Sequence, residues 1–395
     1  MIEFGFKGEY MITTVDLKKM NKSRIFQYIH FAKETSRQDI GNKLDLSLPT
    51  INQNLKSLKE AGLIHFVGSF DSTGGRKAQT IVVNENAKLA ISVNIKKNII
   101  VVMAINLKGD IVATISKNIT FKVSEKYSKS IGALVDELID SNQLETNNIL
   151  GVGITIPGVF DKLGENIIVA PILHAYNFEV SFLSRCIHYP CIVVNDAKSG
   201  AYAEIWYNGF YDDAIKLKDM EQFSDTTKVY LLLDIGVGGA IIQGAKHFEG
   251  MHNRAGEFGH MTIVPGGKKC ECGKMGCLEA YVSTARLSED LEISLDEFFT
   301  ELKNGNKEYK RVFNFYIDKL CIGINNIYTM FDSEIVLGGK VVSYMEQYLD
   351  IIIQKLKTLN SFDSNGNYLK LSHCEQQEAG IGVALMFIGE YIQNI

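Results

Sequence analysis

At 395 residues, 46% of them hydrophobic and 22% charged, the chain is too long for one ordinary core and reads as a globular protein of two or three domains. The apolar run Ile91–Ile105 is interrupted by Lys96 and Lys97, which excludes a clean membrane span there. Glu3, Lys7 and Glu9 break Met1–Tyr10 where a secretory signal needs an unbroken apolar stretch, so the expected location is the cytoplasm. The net charge of −5 excludes a uniformly basic protein, yet residues 1–80 hold twelve Lys and Arg against eight Asp and Glu, so a head of +4 precedes a body of −9. That asymmetry is expected where only the head meets a polyanion.

The head opens with three helical patterns. Lys22–Lys33 sets Ile25, Phe26 and Ile29 on one face. Thr35 or Ser36 is placed to cap a second helix that runs through Leu44, with Ile40 and Leu44 four apart. After Asp45-Leu46, Ser47 caps a third helix, and Pro49 falls in its first turn, where a missing N–H does no harm. Leu48, Ile51, Leu55 and Leu58 recur at three and four residues and are expected to face inward, leaving Thr50, Asn52, Gln53, Asn54 and Lys56 on other faces. Gly62 ends the helix, and Leu63–Val67 and Gln79–Val83 read as strands around a Gly-, Ser- and Thr-rich loop, Gly68–Lys77.

This is a winged helix-turn-helix, whose last helix fits the major groove of DNA. Asn and Gln amides pair with base edges, whereas Lys and Arg mainly hold phosphates. Ser47, Thr50, Asn52, Gln53 and Lys56, with Arg76 and Lys77 at the base of the wing, are therefore the residues expected at DNA. Three amphipathic helices and a hairpin would equally suit a protein-docking module; the amide-rich helix and the Gly-Gly-Arg-Lys wing favour DNA.

From about Ala87 strands and helices mix. Leu89–Ala104, Ile111–Phe121, Ile149–Ile156 and Val193–Val194 supply strand material, while Ser128–Ser141 and Ala197–Trp206 are helical, an α/β pattern. Seven cysteines in so long a chain do not make a disulfide scaffold. Cys186, Cys191, Cys321 and Cys374 lie among apolar residues and read as buried thiols. Cys270, Cys272 and Cys277 are different: with His260 ten residues before the first of them, they form a four-coordinate, thiolate-rich set suited to structural zinc. Gly273 and Gly276 permit the tight turn that returns Cys277 to the metal. Polar residues gather in the neighbouring segments, at Asn195-Asp196, at Glu257 and at Glu279, and carboxylates beside an amide suit the adjacent hydroxyls of a sugar.

Six segments carry a family resemblance: Ser72–Lys77, Gly151–Gly158, Asn195–Glu204, Ala255–Met261, Cys270–Tyr281 and Ile335–Gly339. Through them the chain resembles the ROK family (repressors, open reading frames and kinases), specifically its xylose- and N-acetylglucosamine-responsive repressors, over about Asn21 to Ile388. The resemblance implies a two-lobed, actin-like (sugar-kinase, RNase H-like) domain behind the winged helix. The expected boundaries are 1–84 for the head, 85–205 for the first lobe, 206–375 for the second lobe with the zinc knot, and 376–395 for a C-terminal helix packing on the first lobe. It further implies that Asn195, Asp196, Glu257, His260 and Glu279 hold sugar hydroxyls, that the Gly158 backbone lines the cleft, and that His260 contacts zinc through one ring nitrogen and sugar through the other. Operator DNA, a small sugar or oligosaccharide effector, and a homodimer or homotetramer follow as partners. One departure is visible: family members often place Asn-Leu after a Pro at the cleft edge, where this chain has Ile172-Leu173-His174 after Pro171.

A kinase of this family would use Asp196 as base, with glycine-rich turns approaching the phosphates of ATP. Here the first such turn, normally Asp-x-Gly-Gly-Thr, reads Asn94-Ile-Lys-Lys-Asn98, without either glycine. The second, Asp234–Gly239, keeps glycines but carries Ile235 where Thr-Gly is usual. Lys96 and Lys97 are expected to be solvated. The expectation is a sugar-responsive repressor without phosphoryl transfer, Asp196 being a vestigial base; the alternative is an active ATP-dependent sugar kinase with a regulatory winged-helix head.

Overall fold

A computed structural model describes residues 14–69, 79–207, 227–243, 246–360, 362, 365–372 and 378–395. The chain divides into two compact units, Met1–Lys88 with Ile388–Ile395, and Leu89–Phe387. No helix among the described residues is long and apolar enough to cross a membrane.

The first unit contains α1 (Thr14–Ala32), α2 (Arg37–Leu44), α3 (Leu48–Glu60), β1 (Ile64–Ser69) and β2 (Gln79–Val83). Of the two candidate caps, Ser36 serves α2: its Oγ accepts from the Asp39 amide at 3.2 Å, and the Asp39 carboxylate accepts in return from the Ser36 amide at 3.2 Å. Asp45 then takes the left-handed conformation, φ +54°, that turns the chain into α3. Ile25, Phe26, Ile29, Ile40, Ile51, Leu55 and Leu58 form the core over which β1 and β2 pair antiparallel, and Thr35 adds a bridge to Ile81. Ser23 Oγ donates to the carbonyls of Ile392 and Gln393 at 3.1 and 3.0 Å, which fastens the last turn of the chain to α1.

Two assignments on α3 are corrected. Leu48, expected inward, is 58% exposed, and Asn54, expected on an outer face, is buried with its Nδ2 donating to the Thr50 carbonyl at 2.8 Å. The inward stripe is centred on Ile51, Leu55 and Leu58, and position 54 lies on it, three residues from Ile51 and four from Leu58. Leu48 sits in the first turn, short of the helices that cover this stripe. Arg76 and Lys77 lie outside the described residues.

The second unit is built on two sheets of one topology. In the first, β3 (Leu89–Ile95), β4 (Ile100–Asn106) and β5 (Ile111–Lys117) form an antiparallel meander, β6 (Ile149–Ile156) joins β3 in parallel, and β10 (Cys191–Asn195) joins β6 in parallel. A small antiparallel sheet of β7 (Val159–Phe160), β8 (Asn166–Ala170) and β9 (Ala175–Glu179) leaves the end of β6. The second sheet repeats the pattern with β11 (Thr227–Leu233), β12 (Val237–Gln243) and β13 (Lys246–His247) antiparallel, then β14 (Glu334–Gly338) and β15 (Leu369–Leu371) parallel. Central strands such as β3 are buried along their whole length, which explains their unbroken apolar sequence.

Each sheet has its own core. Ile131, Leu134 and Leu138 of α4 (Glu125–Ser141) cover the first; α5 (Ser181–Ser184) adds Phe182 and Leu183. The second is covered by α7 (Glu279–Val282), α8 (Leu295–Lys303), α9 (Lys307–Phe331) and α10 (Leu349–Leu359) through Val282, Phe298, Leu320, Ile324 and Leu356. Ala197, Ala201 and Ile205 of α6 (Asp196–Tyr207) pack with Tyr230, Leu232, Ala240 and Ile242, so the expected division at 205 falls at the end of a helix whose apolar face lies on the second sheet.

The last helix, α11 (Glu378–Asn394), runs from one unit into the other. Its second-unit part lies close against β6: a Cβ on Gly153 would stand 2.5 Å from Val383, and one on Gly151 would stand 2.3 Å from the Phe387 ring. Both partners are packed side chains that have little room to give. Gly153→Ala is therefore expected to lower the stability of the second unit by about 1–3 kcal/mol, the usual range for overpacking, read as a lower urea midpoint in tryptophan fluorescence and far-UV circular dichroism.

Candidate functional site

The carboxyl ends of β6 and β10 and the β11–β12 turn border one cleft. Gly158, Asn195, Asp196, Glu257, His260 and Glu279, all six residues expected at a sugar, line it together with Pro157, Ile172 and Val237, around a space of about 470 Å³ that includes open solvent. Asn195 ends β10 and ties it to β6 by donating from Nδ2 to the Gly158 carbonyl at 3.1 Å, while its Oδ1 accepts from the Lys198 amide at 3.1 Å. Asp196 opens α6, and its Oδ1 accepts from the Ala197 amide at 2.9 Å.

Glu257 and His260 are brought onto one side of the cleft by a short 3-10 turn, Phe258–His260. This turn lies so close to β12 that a Cβ on Gly259 would stand 1.9 Å from the Val237 carbonyl oxygen. Glu279, at the start of α7, is buried and held at both ends. Its Oε2 accepts from the Val237 amide at 3.0 Å, and its Oε1 accepts from the Cys270 thiol at 3.2 Å.

Behind this wall the His260, Cys270, Cys272 and Cys277 donor atoms all lie within 4.8 Å of one another. Cys272 Sγ and Cys277 Sγ are 3.7 Å apart, and Cys270 Sγ is 3.8 Å from His260 Nδ1. A tetrahedral ion with metal–sulfur bonds of about 2.3 Å has edges of about 3.8 Å, so the set fits such an ion. Gly273 and Gly276 take φ of +87° and +82°, as the expected tight turn requires. Burial pushes the Cys270 and Cys277 thiols up, the preference of a neutral thiol in apolar surroundings that a bound cation would reverse. His260 Nε2 points the other way, 4.0 Å from Glu257 Oε2, so the ring has one nitrogen toward the cysteines and one toward the cleft.

The carboxyl groups are strongly perturbed. Asp196 keeps part of its surface on the cleft, yet so much protein surrounds it that burial raises its pKa to about 6; Asp234 adds to the rise, and the Ala197 amide and Lys96 oppose it. Glu257 is raised to about 7 by burial first, then by Asp196 and Glu279, against Lys198 and Arg254. Near neutrality such carboxyl groups both donate and accept hydrogen bonds, matching hydroxyls that do the same.

Several residues escape the sequence reading. Lys198 Nζ donates to Asn253 Oδ1, and Asn253 Nδ2 donates to the Asp161 carbonyl at 3.2 Å, a chain of contacts from α6 to the small sheet. The signal was local: Lys198 follows Asn195 by three positions, and Asn253 takes φ +58°. Lys96 is not simply solvated as expected. Its Nζ lies 3.0 Å from Asp234 Oδ2, with both side chains largely covered. On α3, the expected DNA-facing Asn52, Gln53 and Lys56 are exposed, Thr50 is half-buried, and Ser47 is exposed and caps the helix through the Thr50 amide at 3.4 Å.

The ROK family model matches residues 90–390. The chain belongs to the ROK family. Among its relatives, the xylose repressor of Caldicellulosiruptor bescii is 27% identical over 95% of this chain and 97% of its own length. The DNA-binding transcriptional dual regulator NagC of Escherichia coli is 26% identical over 71% and 67% respectively. The fold is shared with a ROK transcriptional regulator homologous to the Escherichia coli MLC protein (TM-score 0.71, 20% identity, 96% of this chain and 97% of the other). It is shared also with a ROK glucokinase from Streptomyces griseus solved with glucose and AMPPNP (TM-score 0.60, 22% identity, 75% and 98%). The expected architecture, a winged helix followed by a two-lobed actin-like α/β domain, is the one found.

The Asp196 shift has a definite sign in stability. Its pKa is higher folded than unfolded, so the folded chain holds the extra proton between about pH 4 and 6, and stability is lost as pH rises through that window. Asp196→Asn removes the buried charge and keeps an oxygen for the Ala197 amide. The variant should gain on the order of 1–3 kcal/mol over the parent at pH 7.5, with the gain shrinking toward pH 4, as paired urea titrations at the two pH values would show.

Proposed function

We propose that the chain is a sugar-responsive DNA-binding repressor whose cleft holds a sugar without phosphorylating it. One observation carries this reading: the turns that would cradle phosphate are occupied by the chain's own groups, while Asp196, Glu257 and His260 line an open cleft. The Ile235 amide is taken by Asp234 Oδ1 at 2.8 Å and the Val237 amide by Glu279 Oε2 at 3.0 Å. A backbone nest works by offering such donors to an anion. The β3–β4 turn closes tightly, the Lys96 amide donating to the Ile99 carbonyl at 3.0 Å, and carries two lysine side chains where bare glycine backbone is required.

In this reading Asn195, Asp196, Glu257, His260, Glu279 and the Gly158 backbone hold the effector. The names of the relatives, xylose repressor and N-acetylglucosamine repressor, support a sugar as its class. His260, Cys270, Cys272 and Cys277 would hold Zn²⁺, which supplies local folding energy; four protein ligands leave it no open position for substrate. His260 and Glu279 touch both the cysteine set and the cleft, so metal integrity and sugar affinity are linked through them.

The first unit reads DNA through α3, with Asn52 and Gln53 at base edges, Ser47, Thr50 and Lys56 at its margin, and Arg76 and Lys77 from the wing on the backbone. Two copies in a homodimer, or a homotetramer, bring two heads to a palindromic operator. Sugar closes the two sheets of the second unit toward each other and releases DNA by the factor with which it distinguishes the two arrangements. Asp196 with its raised pKa would still suit a base, which keeps the kinase reading specific enough to test: sugar, MgATP and protein together should yield no ADP above background, and turnover would replace the repressor reading with it.

Gln53→Ala should weaken binding to operator fragments from upstream of the protein's own gene at least tenfold, a change within the discrimination expected of a bidentate amide–base contact, and leave sugar-induced thermal shifts intact. Unchanged operator affinity in a gel-shift titration removes α3 as the reader. Metal analysis of protein purified without chelator should find about one zinc per chain, and a Cys272→Ser variant should lose zinc and sugar affinity together.

A further inference from the structure

The Lys96–Asp234 pair joins the two sheets, whereas the similarly covered Lys228–Glu334 pair joins neighbouring strands of one sheet. Lys56–Glu60 and Lys129–Glu125 are i,i+4 pairs on exposed helix faces, with side chains 67–78% exposed. Lys96 and Asp234 are 138 positions apart, 29% and 22% exposed, and join the β3–β4 turn of one sheet to the β11–β12 turn of the other. They border a second space, of about 390 Å³ including open solvent, whose walls include Asn94, Lys97, Pro157, Ile172 and Asp196. Pro157, Ile172 and Asp196 also wall the candidate sugar cleft, so the two spaces are neighbours.

Asp196 and Asp234 thus present two carboxyl groups to one region, and the charge of Asp234 adds to the rise that burial causes at Asp196. Drawing the two sheets together over a neutral sugar would press these groups into a drier space, where the repulsion strengthens. A cation must sit there. In phosphoryl-transfer sites a divalent ion does this beside the phosphates; here a lysine arrives from the turn that lacks the glycines.

We propose that Lys96 is a positioning residue, the resident cation of the cleft. It ties the two sheets through Asp234 and neutralises the Asp196–Asp234 pair, so that a ligand-competent cleft needs neither nucleotide nor divalent ion. The ligand half of this inference rests on the sugar reading above; the tie between the sheets does not.

Lys96→Met keeps the stem and removes the charge, Lys96→Arg keeps the charge, and Lys96→Met/Asp234→Asn removes both charges. Hydrogen exchange of the full chain without sugar tests the tie. Lys96→Met should speed exchange at residues 95–99 and 235–237 about tenfold, a coupling typical of groups in direct contact, with Lys96→Arg near the parent and the double variant recovering most of the loss. Calorimetric titration with xylose and with N-acetylglucosamine tests the positioning. For whichever sugar the parent binds, affinity should fall about tenfold in Lys96→Met, recover with millimolar Mg²⁺ or Mn²⁺, and be indifferent to those ions in the parent. Parent-like exchange in Lys96→Met, or a double variant as impaired as the single one, overturns the proposal. A parent that binds neither sugar counts against the sugar reading instead, and the exchange experiment still decides the tie.

Discussion

The carboxylate of Glu279 is the point on which the rest of the site depends. One oxygen is bound by the Cys270 thiol and the other by the Val237 amide, so a single buried side chain spans the cysteine set, the β11–β12 turn and the cleft wall. A buried carboxylate is tolerated only when its lone pairs are met, and here the partners that meet them belong to different functions. Opening the turn would release the oxygen that the Val237 amide holds. The 3-10 turn bearing Glu257 and His260 is pressed onto the same residue, Val237, through Gly259. The cysteine set, the β11–β12 turn and the cleft wall are therefore parts of one packed object.

Under the proposed function, this arrangement would let a kinase-like framework lose the nucleotide while keeping the sugar. Backbone amides can serve either an external phosphate or an internal acceptor. At Ile235 and Val237 they serve internal ones, Asp234 and Glu279. The charges point the same way: Asp234, on the space beside the cleft, already holds Lys96, so that cation is committed within the chain. The hydroxyls of a neutral polyol match carboxyl groups that burial has shifted toward neutrality.

Much of this was legible in the sequence, and what was not has physical causes. The head was readable because caps and apolar spacing are local: Ser36, Ser47, Pro49 and the Ile51–Leu55–Leu58 stripe are each set by neighbours within a turn or two. The misreadings on α3 arose where a helix-scale pattern cannot show which neighbours exist, so the first-turn Leu48 was placed inside and the stripe residue Asn54 outside. The cysteine set was legible because its spacing and glycines are compact. The sugar cleft was assembled only through family resemblance, since Gly158, Asn195, Glu257 and Glu279 come from four elements whose meeting is a property of the fold. The Lys96–Asp234 pair was missed for the same reason: its partners are separated by most of the first sheet and all of α6, and two lysines in a hairpin turn carry no mark of a distant carboxylate.

The repeated topology gives these contacts their leverage. Each five-stranded sheet carries its own core, and α6 leaves β10 of the first sheet to pack on the second. Asn195 and Asp196 stand at that crossing, the last residue of a strand in one sheet and the first of a helix packed on the other. Under the proposed function, a ligand that orders them would act at that junction, where local hydrogen bonding bears on how the two sheets meet.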